Sequence, residues 1–217
     1  MIGRPVSGNR PVAFGIVSLT FVFLLSPCTG IRGSDFVMVC SDTSAVQSIV
    51  TMKQDEDKIV PIDSHKMFAI SGEAGDRVNF TEFVAANVRL YAYRNETDLS
   101  TKAVAHFTRG ELAKALRKSP YYTNLLIAGY DEHYGASLYW CDYLATMHHM
   151  NICGTGYGSY FVLSLFDKLW KKDLTQDEAL EMMKKGAFLC LTVLFDWIIF
   201  HIYICLGVVK DNKISYG

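Results

Sequence analysis

The sequence has almost no excess of charge of either sign. Its 21 lysines and arginines stand against 22 aspartates and glutamates, so the formal net charge is −1. A protein that binds nucleic acid or an acidic partner through its overall field needs a clear excess of basic residues. We therefore expect no nucleic-acid partner. The length of 217 residues suffices for one domain with a sizeable core.

Closely spaced metal and phosphate ligands are also missing. The six cysteines include no C-x-x-C pair, the spacing from which zinc sites are commonly built. The adjacent His148 and His149 have no suitably spaced carboxylate or cysteine, and we interpret them as a surface loop. The glycines between Gly154 and Gly158 lack the lysine of a phosphate-binding loop. The sequence thus predicts no metal and no cofactor. Several cysteines lie in or beside apolar strand patterns, which indicates buried reduced thiols in a cytosolic or nuclear protein.

The chain shows no repeated β-α-β alternation. Periodicity and turn residues predict strands and helices in blocks. In chain order these are strands at 36–40, 48–52, 59–62 and 67–70, helices at 76–94 and from about 100, strands at 123–128 and 137–143, and helices at 157–170 and from 175. Strands this close in sequence pair antiparallel, because tight connections leave no room for crossovers. The blocks predict an α+β fold in one domain, a four-layer αββα sandwich of two antiparallel sheets.

The most informative stretch runs from Ile70 to Val78, where an apolar strand pattern enters two glycines and leaves as a helix. Its motif Gly72-Glu73-Ala74-Gly75-Asp76 resembles the beta-type subunits of the 20S proteasome. The run Asn-Leu-Leu-Ile-Ala-Gly-Tyr-Asp-Glu-His at 124–133 and the Gly-Tyr-Gly at 156–158 agree in order. The resemblance covers about residues 30–185. It implies the N-terminal-nucleophile hydrolase fold and places a proteasome beta-type domain at residues 30–186.

Both ends of the chain depart from this family. Residues 1–29 form an atypical apolar extension, in which two arginines precede the uncharged run Val12–Leu25. This shape is typical of a secretory signal peptide, and an alternative or mis-assigned first exon is the other interpretation. Residues 187–217 form a divergent apolar segment, long enough to span a bilayer, although Asp196 opposes insertion. These departures would remove a strand from the first sheet and strands from the closing end, although Val208–Ile214 weakly resembles a closing strand and turn.

The resemblance also supplies a test for catalytic activity. Active beta subunits attack peptides with an N-terminal threonine, which self-cleavage at a Gly-Thr bond frees. No Gly-Thr pair occurs before Asp42, and the position expected for the nucleophile is Ser26. Gly33-Ser34 lies well inside the first strand region, and cleavage there would delete the first half of that region. Asp42 and Lys58 do match the family's machinery by position, whereas Tyr157 replaces its later serine. We therefore expect no catalytic residue, with Asp42 satisfying turn amides and Lys58 in an ion pair.

The function that follows is a non-catalytic structural subunit of the 20S proteasome core particle. By resemblance it forms part of the beta ring that encloses the chamber for ATP- and ubiquitin-dependent protein degradation. Its partners would be other alpha and beta subunits in stacked rings, in the cytoplasm and nucleus, without a membrane partner. Two alternatives stay open. One is an active threonine-type peptidase of the N-terminal-nucleophile class. The other is a secreted or membrane-anchored protein, for which Asn79 and Asn95 are formal glycosylation acceptors.

Overall fold

The structure is a computed structural model that describes residues 28–43, 45–47, 50–53, 55–156, 158–194, 204–210 and 213–216. Its strands are β1 (Cys28–Arg32), β2 (Phe36–Asp42), β3 (Ala45–Gln47), β4 (Val50–Lys53), β5 (Ile59–Pro61), β6 (Lys66–Gly72), β7 (Thr123–Asp131), β8 (Gly135–Cys141), β9 (Met147–His149), β10 (Ile152–Thr155), β11 (Ile204–Lys210) and β12 (Lys213–Tyr216). Its helices are α1 (Ala74–Asn95), α2 (Thr101–Ala115), α3 (Ser159–Leu169) and α4 (Gln176–Leu194).

Two antiparallel sheets form the centre of the fold. The first has five strands in the order β10-β1-β2-β11-β12, and the second has five in the order β5-β6-β7-β8-β9. β3 and β4 make a separate two-stranded ribbon. Helices α3 and α4 contact the first sheet, while α1 and α2 contact the second. The predicted α+β fold, an αββα sandwich of two antiparallel sheets, is therefore confirmed.

Alternating side chains of the same strand serve different layers. On β2, Val37 and Val39 pack between the two sheets, whereas Phe36 and Met38 pack under α3 and α4. Phe68 of β6 packs in a third hydrophobic cluster, which lies beneath α1 and α2. Successive side chains of a strand point to opposite faces, and both faces of these sheets are covered. This is why the central strands are continuous apolar runs in the sequence.

Capping residues fix the starts of two helices. The Ser100 hydroxyl accepts a hydrogen bond from the Ala103 amide at 3.2 Å, at the N-terminus of α2. At the start of α4, the Thr175 amide donates to Glu178 Oε2 at 3.1 Å and the Glu178 amide donates to Thr175 Oγ1 at 3.3 Å. This reciprocal pair is a capping box. Both predicted helix starts are confirmed.

One local expectation was wrong. His148 and His149 lie on β9, which pairs with β8, rather than in a loop. Gly33-Ser34 lies in the turn between β1 and β2, so cleavage there would remove β1. The charged segment that follows β4 is partly buried, because Glu56 forms an ion pair with the buried Arg77. Short polar stretches of this kind take their structure from the strands and helices beside them.

The two ends also differ from expectation. β1 begins at Cys28, inside the expected N-terminal extension, and pairs with both β2 and β10. β11 pairs with β2 from Ile204 to Lys210, and β12 pairs with β11. The expected loss of a first strand and of closing strands is therefore wrong, whereas the strand expected from Val208 is present as part of β11. The apolar run Val12–Leu25, Ser26, Tyr157 and Asp196 lie outside the described residues. None of the helices that the structure describes is long and apolar enough to cross a membrane.

Candidate functional site

A buried ion pair lies where β2 ends. Lys58 Nζ contacts Asp42 Oδ1 at 2.7 Å, with side chains only 1% and 4% exposed. Asp42 is the last residue of β2, and Lys58 directly precedes β5. The Ile70 amide of β6 donates to the Lys58 carbonyl at 3.0 Å, which fixes the lysine backbone. The pair therefore joins the end of the first sheet to the edge of the second.

Cys28 lies beside this pair at the start of β1. Its Cα is opposite Ser41 on β2 and Thr155 on β10. The thiol donates to Ser41 Oγ at 3.4 Å, and the Ser41 hydroxyl donates to the Asp42 carbonyl at 3.1 Å. Burial raises the pKa of the Cys28 thiol and outweighs the opposing effects of the Ser41 hydrogen bond and of nearby Lys58. A buried thiol with a raised pKa stays protonated at neutral pH and is a poor nucleophile.

The hydroxyls beside the end of β10 are engaged in structural hydrogen bonds. Ser71 Oγ on β6 donates to Thr155 Oγ1 on β10 at 2.9 Å, which connects the two sheets. Ser159 Oγ at the start of α3 donates to the Gly156 carbonyl at 2.6 Å. A hydroxyl nucleophile needs a general base that takes its proton. These hydroxyls donate to hydroxyl and carbonyl oxygens instead, as that of Ser41 does.

The glycine motif fixes the turn from β6 to α1. Gly72 has φ +123°, and a Cβ built there would lie 2.1 Å from the Tyr122 carbonyl oxygen. The same carbonyl accepts from the Glu73 amide at 3.1 Å, and the Tyr122 amide donates to Asp76 Oδ2 at 2.9 Å. Only glycine tolerates both this dihedral angle and this approach. The motif thus anchors the turn beside the start of β7, next to Ser71.

The structure brings together some of the residues singled out in the sequence. Asp42 and Lys58 are partners of each other, a pairing that the sequence alone did not predict. Ser71 and Thr155 were missed, since they are 84 positions apart and no local pattern links them. The structure places the two histidines outside this constellation: His148 stacks on Trp140 at 6.3 Å, and His149 Nε2 accepts from Arg32 at 3.1 Å. Among the described residues, no group of three or more histidine, cysteine or acidic side chains is placed to hold a metal ion.

Comparison with known proteins gives the family. A family model described as "Proteasome subunit" matches residues 26–189. Over 156 residues the chain is 57% identical to proteasome subunit beta type-2 of Oryza sativa subsp. japonica, covering 72% of this chain and 74% of that protein. It is 55% identical over 156 residues to beta type-2-B of Arabidopsis thaliana, covering 72% and 78%. With the beta type-2 subunit of Dictyostelium discoideum it shares 47% over 161 residues, covering 73% and 79%. The resemblance found in the sequence is confirmed, and the chain belongs to the proteasome subunit family.

Proposed function

We propose that this chain is a non-catalytic structural subunit of the 20S proteasome core particle. It forms part of the beta ring around the chamber in which ubiquitin-tagged proteins are degraded, in the cytoplasm and nucleus. Its partners are the other alpha and beta subunits of the stacked rings. The relatives named as beta type-2 subunits support the place in the particle, and the sandwich with helices on both outer faces supplies surfaces for neighbours.

One observation supports the non-catalytic part of the proposal more than any other. No Gly-Thr pair precedes Asp42 in the sequence, so self-cleavage at such a bond cannot free a threonine amine. That amine is the general base of the N-terminal threonine mechanism. The surroundings fit this, since the Cys28 thiol is fully buried and its burial raises its pKa. The Asp42–Lys58 ion pair and the hydrogen bonds beside it therefore stabilise one end of the sandwich.

The active peptidase remains the second candidate because two of its features are present. Asp42 and Lys58 form the charged pair at the expected place. Ser26, at the position expected for the nucleophile, also carries a hydroxyl. A serine there would need a freed amine of its own, and Leu25 rather than glycine precedes it. A probe for a reactive nucleophile separates the two candidates.

We expect no covalent labelling of this chain by a peptide vinyl sulfone that reacts with N-terminal nucleophiles. The particle would be purified through a tag on another subunit, treated with the probe and examined by mass spectrometry. Labelled catalytic subunits of the same particle are the internal control. An adduct on Ser26, or on another hydroxyl or thiol of this chain, would contradict the non-catalytic assignment. Absence of the chain from the particle would instead contradict its structural role.

A further inference from the structure

We propose that the outer face of α2 docks an acidic surface of a neighbouring subunit. This basic face consists of the exposed cations of α2 and of the turn that follows it, namely Lys102, Arg109, Lys114, Arg117 and Lys118. The inference rests on the proposed place of the chain in the particle and names the chemistry of one contact there. The basic face includes neither Asp42 nor Lys58, so the inference does not depend on whether the subunit is catalytic.

Positive charge is concentrated at this helix although the chain as a whole is nearly neutral. Residues 101–118 contain five lysines and arginines but only one acidic residue, Glu111, whose carboxylate already contacts Lys114 Nζ at 2.6 Å. Lys102, Arg117 and Lys118 form no ion pair with any residue that the structure describes. The net charge of −1 gives the chain no overall field that would attract nucleic acid. The complement of the basic face is therefore an acidic protein surface.

The helix dipole does not account for this charge pattern. Cations are favourable at the C-terminus of a helix and unfavourable at its N-terminus. Arg117 and Lys118 follow the last turn of α2, but Lys102 is the second residue of the helix. Lys102 and Arg109 are seven residues apart, which is about two turns, so both lie on the exposed side of α2. The cation at the N-terminus needs another reason, and a negatively charged partner provides one.

Gly110 indicates that the partner approaches the helix closely. It lies in the interior of α2, where glycine is less favourable than any residue except proline. A Cβ built at Gly110 would meet no neighbouring heavy atom within 4 Å, so packing among the described residues does not require glycine there. A second backbone lying against the helix would require it, because a Cβ would hold the two chains apart. Gly110 is one helical turn before Lys114, so the close approach and the cations belong to the same face.

Carbodiimide cross-linking of the assembled particle tests the proposal, since the reagent joins a lysine amine to a carboxylate in contact with it. The particle would be purified through a tag on another subunit. We expect amide links from the lysines of the basic face to aspartates or glutamates of another subunit, identified by mass spectrometry. The link between Lys114 and Glu111, whose charged groups are 2.6 Å apart, is the internal control. Lys102→Arg keeps the charge and should remove only the link from position 102.

The outcomes separate this inference from the proposed function. If the chain is in the particle and the internal link forms, but no link to another subunit does, the inference fails and the proposed function stands. Absence of the chain from the particle would overturn both. Phosphoramidate links from these lysines to nucleotides would identify a nucleic-acid partner and would also overturn the inference.

Charge reversal at the two ends of the basic face gives a second readout. Lys102→Glu is favourable for the helix dipole and Arg117→Glu is unfavourable, so the Tm of the double variant should stay unchanged. In cells that express the double variant beside the wild-type chain, we expect its share of the particle to fall about tenfold below its share of the soluble pool, because like charges would then meet. Lys102→Arg with Arg117→Lys keeps both charges and should retain its share. Equal shares for the two double variants would overturn the inference.

Discussion

Replacing Lys58 with methionine is expected to lower the free energy of unfolding by about 3 to 5 kcal/mol. The substitution keeps the buried apolar stem but removes the ammonium that contacts Asp42 Oδ1 at 2.7 Å. The Asp42 carboxylate is 4% exposed, so water cannot replace that contact without opening the end of the sandwich. Chemical denaturation of the full chain, followed by circular dichroism, measures the loss.

The matched control is the double variant Lys58→Met with Asp42→Asn. Neutral residues of similar volume in place of a buried ion pair are often tolerated, whereas removing one partner leaves a buried charge. The double variant should therefore recover at least half of the stability that Lys58→Met loses. If it were less stable than the single variant, the attraction between the two charges would not be what stabilises this end of the fold.

Replacing Gly72 with alanine is expected to destabilise the protein by about 3 kcal/mol or more, a value typical of strained or overpacked buried positions. The added Cβ would lie 2.1 Å from the Tyr122 carbonyl oxygen and 2.9 Å from Thr123 Cα. Both contacts are with backbone, which cannot rotate away as a side chain does. The positive φ of +123° adds its own strain for a non-glycine residue. Thermal and chemical denaturation of the variant give the measurement.

Gly75 provides the control for this substitution. It lies in the first turn of α1, and a Cβ built there meets no heavy atom within 4 Å. Alanine is favoured over glycine in a helix by up to about 1 kcal/mol, so Gly75→Ala should leave stability unchanged or raise it. Equal destabilisation by the two substitutions would show that the turn does not depend on the geometry of Gly72.

The layer arrangement was predictable from the sequence because its central strands are long and apolar. β2, β6 and β7 are buried on both faces, so each is an apolar run between turn residues. Two of the strands that the sequence did not predict are of another kind. β9 and β10 have only 3 and 4 residues and contain histidines or glycine. Their strand conformation comes from pairing with β8 and β1 rather than from local preference.

The C-terminal segment shows how an apolar run misleads. Residues 187–209 are long enough for a bilayer span, yet α4 extends to Leu194 and β11 begins at Ile204. β11 lies between β2 and β12 inside the first sheet. A strand in that position needs apolar residues on both faces, so its composition resembles that of a membrane segment. The sequence did not indicate that Gly207 packs closely against the second sheet. A Cβ built there would lie 2.7 Å from Met67 Sδ.

The candidate site was predictable only in its parts. The resemblance indicated Asp42 and Lys58 separately, and the structure shows that the two side chains form an ion pair. The contacts of Cys28, Ser71 and Thr155 depend on the register of β1 with β2 and β10 and on the approach of the two sheets. Neither is encoded in local spacing. The raised pKa of Cys28 likewise follows from its burial, which its sequence position at the end of an apolar run did not reveal.

The state of the Leu25–Ser26 bond in the assembled particle tests the central claim most directly. Peptide mapping by mass spectrometry, with chemical labelling of free amines before digestion, distinguishes a chain that begins at Ser26 from one in which this bond is intact. The non-catalytic account predicts peptides that span Leu25–Ser26, without an amine-labelled Ser26. A chain that begins at Ser26 with a free amine would contradict it.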